Sequence, residues 1–259
     1  AFDVMVNLAA VHREPGHEKE EYFDTNVLGA KNICRLAEEV GCSEIIFTSS
    51  IAVYGIHDQP ATEHSTPLPK MPYGQSKLQA EDIHKTWAGR ASGKLSIIRP
   101  GVVFGRGEHG NVSRLIGEML KRNRAIRIQP DQVKAGIYIE ELLSIIHWLR
   151  TRTPGPSGFH LVNGVTEIPI TFNAYGQVLD QMKNFRKRPF TAPEALLKAA
   201  ASILAPCSRF FPTGSKLHPR RITKLTLVND IRPKELIDMG YPFTWSLETA
   251  LDHWLKQGL

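Results

Sequence analysis

The run Glu44-Ile-Ile-Phe-Thr-Ser-Ser50 constrains this chain more than any other. Glu44 to Thr48 reads as a buried strand, which puts Ser49 and Ser50 at its carboxyl end, where open parallel α/β sheets hold their ligands. Asp3 to Leu8 and Leu95 to Pro100 read as further buried strands, and Glu18 to Val40 and Tyr73 to Arg90 as helices between them. Strands alternating with helices predict an α/β fold.

Tyr73 lies 23 residues beyond Ser50, in Met71-Pro-Tyr-Gly-Gln-Ser-Lys77. Pro72 can pre-set the first turn of a helix, and a Tyr and a Lys four apart on that helix share one face. A phenol with a pKa near ~10 is a poor base at neutral pH, but a fixed ammonium beside it stabilises the phenolate. Such a pair alone is common on solvated helix faces; the serines that precede it give it meaning.

Together with Asp3-Val-Met-Val-Asn-Leu-Ala-Ala10 and Asn26-Val-Leu-Gly-Ala-Lys-Asn-Ile33, these segments resemble the extended short-chain dehydrogenase/reductase superfamily. More narrowly, the chain resembles NAD-dependent epimerases and dehydratases of nucleotide sugars, from Asp3 to about Trp254. The resemblance implies a doubly wound, Rossmann-like parallel sheet that lacks its first βαβ part, with a small C-terminal substrate lobe. It divides the chain into a dinucleotide-binding domain, 1–150, and a mainly substrate-binding lobe, 151–259, with a returning strand and C-terminal helices. No glycine fingerprint for a dinucleotide precedes Asp3. The expectation is therefore an N-terminally truncated fragment of a longer protein.

The same resemblance implies the site. Ser50, Tyr73 and Lys77 form the catalytic triad, with Tyr73 as acid/base and Lys77 also on the nicotinamide ribose. Leu8, Ala9, Ala10, Val11, Asn26, Ser49 and Pro100 join Tyr73 and Lys77 around the cofactor, which is NAD, with NADP open. Asn111, Arg114 and Arg221 join Ser50 and Tyr73 around a nucleotide-diphosphate sugar. Galactose-type epimerases commonly carry an asparagine where this chain has Val102, and 4,6-dehydratases an Asp-Glu pair where it has Ser49-Ser50. The implied reaction is 4-epimerisation like that of UDP-glucose, by transient hydride transfer. The alternatives are a sugar-nucleotide reductase or steroid-type alcohol dehydrogenase with the same triad, and a non-catalytic dinucleotide sensor. A homodimer through the Glu18 and Tyr73 helices is a further family expectation.

The net charge of +6 hides an asymmetry. Lys183, Arg186, Lys187, Arg188, Lys198, Arg209, Lys216, Arg220, Arg221 and Lys224 face one acid, Glu194, between residues 181 and 224. A substrate diphosphate, an anionic membrane surface or a solvated face each fits that excess; no nucleic-acid motif accompanies it. Pro193 to Ala205, rich in alanine and leucine, suits a core-facing helix of the substrate lobe or a membrane-peripheral one. Cys34, Cys42 and Cys207 lack zinc or redox spacing and read as free thiols of a cytoplasmic protein, and no metal cluster is legible. Glu140 and Glu141 open a helix and read as structural, and His57 and His64 carry no assigned role.

Overall fold

The structure is a computed structural model that describes residues 3–12, 17–57, 59–91, 93–151, 158–204 and 228–258. Arg221, Cys207 and the basic residues from Arg209 to Lys224 lie outside the described residues. Two units are each assembled from three stretches of chain: Ala1–Gly101, Glu140–Glu167 and Ile231–Phe243 form unit 1, and Val102–Ile139, Ile168–Asp230 and Thr244–Leu259 form unit 2. This division differs from a single boundary near residue 150. A strand returning to a parallel sheet must bring its crossover helix with it, so both fall in unit 1.

Elements are numbered in chain order across both units. Unit 1 contains β1 (Met5–Asn7), α1 (Lys19–Phe23), a π-helical turn (Asp24–Leu28), α2 (Gly29–Glu39), β2 (Glu44–Thr48) and a 3-10 turn (Ile51–Val53). It continues with α3 (Pro72–Ala91), β3 (Lys94–Pro100), α5 (Ile139–Thr151), β7 (Phe159–Gly164) and α8 (Lys234–Asp238). Its sheet is parallel throughout, in the order β1-β2-β3-β7, with Asn7 opposite Phe47, Phe47 opposite Ile97 and Ile98 opposite Val162. Ile45, Phe47, Leu95 and Ile97 pack with Ala30, Cys34 and Ala37 of α2 and Ala80 and Trp87 of α3. Side chains alternate across a sheet, so Ile46 and Ile98, equally buried, belong to the other face.

The helical stretch after Glu18 is present, broken by a π turn. Tyr22, Asn26, Ala30, Cys34 and Ala37 are buried, whereas Leu36 is exposed. The π turn places an extra residue between α1 and α2 and so re-phases the pattern. Small residues then meet the sheet.

Unit 2 contains β4 (Val102–Phe104), α4 (Asn111–Arg122), β5 (Ile126–Gln129), β6 (Gly136–Tyr138), α6 (Phe172–Lys183), β8 (Phe190–Pro193), α7 (Glu194–Leu204) and α9 (Leu247–Gln257). Two parallel pairs, β4 with β6 and β5 with β8, flank a core that includes Phe104, Ile116, Met119, Tyr138, Leu251 and Trp254. Ser246 caps α9 by accepting the Thr249 N–H at 3.2 Å, the usual job of a serine at a helix start. The strand at Phe190–Pro193 is not foreseen, because it is short and runs directly into a helix. Leu196 and Ile203 of α7 are exposed, contrary to a helix turned wholly to the core.

Candidate active site

The site grows from the carboxyl ends of β1, β2 and β3. Ser50, two residues past the end of β2, is extended, and its Oγ accepts the Ala52 N–H at 3.1 Å, capping the 3-10 turn. This bond holds the hydroxyl in place and leaves its proton available to donate. The first turn of α3 rests on that 3-10 turn: a Cβ built on Gly74 would come 2.4 Å from the Ala52 carbonyl oxygen. Only glycine permits this approach, and it brings the start of the tyrosine helix down on the serine turn. Gly55, at φ +73°, folds the next loop back over the turn, and the Leu68 N–H donates to the Tyr54 carbonyl at 3.3 Å.

Tyr73 is half-buried, and its ring lies 6.3 Å from that of Tyr22. One turn along, Lys77 is only 1% exposed, with its ammonium 4.3 Å from the centre of the Phe47 ring. Burial pulls the Lys77 pKa down to about 8, against the opposing charge of Glu81. The aromatic face stabilises the cation without supplying a hydrogen-bond acceptor, and among the described residues no oxygen or nitrogen fills that role. Three N–H donors on a buried ammonium therefore remain for a ligand, which fits the ribose hydroxyls of a dinucleotide.

Asn26 is buried in the π turn and ties three pieces together. Its Oδ1 accepts the Val11 N–H at 3.0 Å, and its Nδ2 donates to the Val11 carbonyl at 3.2 Å and to Ser76 Oγ at 2.9 Å. Ser76 Oγ donates to the Tyr73 carbonyl at 2.9 Å. One amide thus fixes the chain after β1 against the helix bearing Tyr73 and Lys77. Leu8 and Ala9 are exposed along that chain and Ala10 and Val11 are half-buried, with the Ala9 N–H held by Asn7 Oδ1 at 3.2 Å. Pro100 ends β3 opposite Gly164 of β7.

Ser49 behaves differently from expectation. Its hydroxyl donates to Glu81 Oε1 at 2.5 Å and so points into a buried ionic cluster. Glu81, 0% exposed, also accepts from two Arg99 nitrogens, Nε at 2.9 Å and Nη2 at 2.7 Å. The Arg99 guanidinium stacks 4.8 Å from the centre of the Tyr54 ring, and the Tyr54 hydroxyl donates to Asn163 Oδ1 at 2.8 Å. Sequence reasoning missed Glu81 and Arg99. Their signal is a Glu four residues past Lys77 and an Arg inside an otherwise apolar strand.

In unit 2, Asn111 and Arg114 are exposed on the first turn of α4. Asn111 does not cap that helix. Gly110 occupies the cap position, and the Glu108 carboxylate accepts the Ser113 N–H at 2.7 Å. Glu141 is buried and accepts the Tyr241 hydroxyl at 2.5 Å, so its partner is part of unit 1's own packing.

Comparison with known proteins gives a consistent neighbourhood. The model of the NAD dependent epimerase/dehydratase family matches residues 1–156. The chain is 27% identical over 259 aligned residues to N-acetyl-alpha-D-glucosaminyl-diphospho-ditrans,octacis-undecaprenol 4-epimerase of Escherichia coli O157:H7, covering 98% of this chain and 77% of that protein. A shorter match, 42% identical over 94 residues, covers 35% of this chain and 28% of the UDP-glucose 4-epimerase of Streptococcus mutans. Among solved structures, MoeE5 in complex with UDP-glucuronic acid and NAD superposes with a TM-score of 0.72 at 20% identity, over 99% of this chain and 80% of that one. UDP-glucose 4-epimerase of Thermotoga maritima with UDP-glucose gives 0.72 at 18% identity, over 98% and 76%. These two likenesses show the fold: Rossmann-like α/β with a parallel sheet.

Proposed function

The chain belongs to the NAD dependent epimerase/dehydratase family, and from that membership we propose that it is a 4-epimerase of a sugar carried on a diphosphate. One observation carries the reading: Lys77, a buried ammonium without an acceptor among the described residues, sits one helical turn from Tyr73, whose own turn is pressed onto the Ser50 turn. That is the arrangement a phenol needs to work as a base near neutral pH. The relative covering nearly the whole chain and the shorter match are both 4-epimerases by name, which supports C4 as the reacting carbon.

Lys77, with the Asn26-held segment Leu8–Val11 and Pro100, would hold NAD; Ser49 contributes through its backbone, since its hydroxyl is engaged by Glu81. When bound, NAD supplies the hydride acceptor and donor at C4, with no net change in its own oxidation state. Tyr73 takes the proton of the C4 hydroxyl and gives it back after the sugar has turned its other face. Ser50, with its acceptor side engaged by Ala52, donates to the same oxygen and holds it. Lys77 keeps the phenolate accessible by its charge. Asn111, Arg114 and Arg221 are the proposed contacts of the diphosphosugar.

Ser49 and Ser50 stand where dehydratases of this family carry their acids, and this favours epimerisation over elimination. Val102, 46% exposed, offers no amide, so the proposal does not include the sugar contact of galactose-type enzymes. The diphosphate carrier is a nucleotide or, as the E. coli relative's name suggests, a polyprenyl lipid. A homodimer through α1 and α3 belongs to the same proposal, and sedimentation showing only monomer would remove it.

The test incubates the protein with NAD and, in turn, UDP-glucose, UDP-N-acetylglucosamine and polyprenyl-diphospho-N-acetylglucosamine, following C4 configuration by NMR and absorbance at the nicotinamide band. Epimer without net NADH is expected. Stoichiometric NADH would move the protein to the dehydrogenases, and no product from any sugar would overturn the reading.

A further inference from the structure

We propose that unit 2 docks on an anionic lipid surface, through the exposed face of α7 and the cationic turn that precedes β8. In α7, Leu196, Ala199 and Ile203 recur at three- and four-residue spacing and so share one face. That face is open: Leu196 is 64% and Ile203 75% exposed, and Phe190 on the adjoining strand is 53% exposed. A helix of 11 residues is about 16 Å long, far short of the ~30 Å of a bilayer core. It can lie in the surface but cannot cross.

Charge supplies the second half. Lys183, Arg186, Lys187 and Arg188 are all exposed, and none has an acidic partner among the described residues. Their turn is a fixed part of unit 2. The Arg186 N–H donates to Asn123 Oδ1 and the Lys187 N–H to the Asn123 carbonyl, both at 3.2 Å, and the Phe190 N–H donates to the Ala125 carbonyl at 2.9 Å. The two acids between residues 180 and 204 are turned inward: Asp180 Oδ1 accepts the Phe185 N–H at 3.1 Å, and Glu194 Oε2 accepts from Gln132 at 3.0 Å. What is exposed is a set of cations and, across β8 from them in the chain, an apolar helix stripe, the combination that anionic headgroups and acyl chains recognise together. A two-fold interface whose axis passed through this turn would set these four cations against their equivalents.

This inference goes beyond the epimerase reading, and vesicle binding itself is measured without substrate. The full chain is sedimented with phosphatidylcholine vesicles and with phosphatidylcholine–phosphatidylglycerol vesicles. Binding to the anionic vesicles is expected to exceed that to the neutral ones by about tenfold or more and to weaken in high salt. Arg186→Ala/Lys187→Ala/Arg188→Ala, and separately Leu196→Ser/Ile203→Ser, should each lower it about tenfold or more, with circular dichroism and turnover of a soluble diphosphosugar unchanged. Three outcomes would overturn the proposal: no anionic preference, binding indifferent to either set of substitutions, or Leu196→Ser/Ile203→Ser splitting a dimer while vesicle binding persists.

Discussion

Arg99 and Glu81 meet in a two-pronged ion pair, 2.9 and 2.7 Å long, with the arginine 1% and the glutamate 0% exposed. Burial lowers the Arg99 pKa, but the Glu81 carboxylate raises it by more, so the pair remains ionic. The pair joins β3 to α3 one turn beyond Lys77, and Ser49 links it to the end of β2. It therefore fixes the helix that presents the catalytic groups.

Breaking a buried pair leaves an uncompensated charge, at a cost of about 3–5 kcal/mol. Arg99→Met or Glu81→Gln alone should destabilise the protein by about that amount in urea denaturation. Glu81→Met/Arg99→Leu together should cost less than the sum. Single changes costing under about 1 kcal/mol would show that the pair is not desolvated as described.

Lys77 should oppose stability while serving the reaction. Its pKa is about 8 in the fold against 10.5 for a free lysine, because burial disfavours the ammonium. The folded protein then binds fewer protons than the unfolded chain between those values, so stability rises with pH through that window. Below it the full cost applies, on the order of 3 kcal/mol. Lys77→Met should raise the stability of the cofactor-free protein at pH 7, flatten its rise above pH 8, and lower kcat by about 10²–10⁴. An unchanged urea midpoint at pH 7 would contradict this.

His84 should act at the acid side. It stacks on Phe47 with ring centres 4.2 Å apart, its Nδ1–H donates to the Ala80 carbonyl at 2.7 Å, and Nε2 faces the Asn7 amide at 3.4 Å. Burial pulls its pKa down to about 4 from 6.5; the Ala80 carbonyl opposes this, Lys77 adds to it and Glu81 opposes it. A histidine buried neutral contributes stability that is present above the unfolded value and is lost as pH falls through the folded one. About 3 kcal/mol should therefore disappear between pH 6.5 and 4. His84→Gln should flatten that slope in denaturation curves taken across the range.

Gly74 and Gly89 lie on the same helix and should respond oppositely to alanine. At Gly74 the new methyl group would meet the Ala52 carbonyl at 2.4 Å, so Gly74→Ala should cost about 1–3 kcal/mol and lower activity by displacing the Ser50 turn. At Gly89 nothing lies within 4 Å, and Gly89→Ala should add about 0.5–1 kcal/mol without touching turnover. Thermal melts with initial rates of both variants decide the matter.

Much of the fold was legible because its signals are local. The apolar run at Glu44–Thr48, the helix opened by Pro72 and the serine cap at Ser246 each lie within a few residues of the element they specify. What escaped depends on partners far along the chain. The π turn at Asn26 exists to bond Val11 and Ser76, 15 and 50 residues away, and it rotates the buried face off Leu36. Glu81, 32 residues on, takes the Ser49 hydroxyl, a partner that nothing near Ser49 in the chain announces. A returning strand was legible in the C-terminal stretch, but its partner β3 lies about sixty residues back and is read only from the pairing.

The central claim is that Tyr73, charged through Lys77, drives a reversible oxidation at C4. The most direct measurement uses a diphosphosugar carrying deuterium at C4, run to equilibrium with NAD in ordinary water. The account predicts an epimer that keeps its deuterium, no accumulated NADH, and a rate lowered about 10²–10⁴-fold in Tyr73→Phe with the fold intact. Loss of the label to solvent, accumulation of a keto sugar with stoichiometric NADH, or full activity in Tyr73→Phe would contradict it.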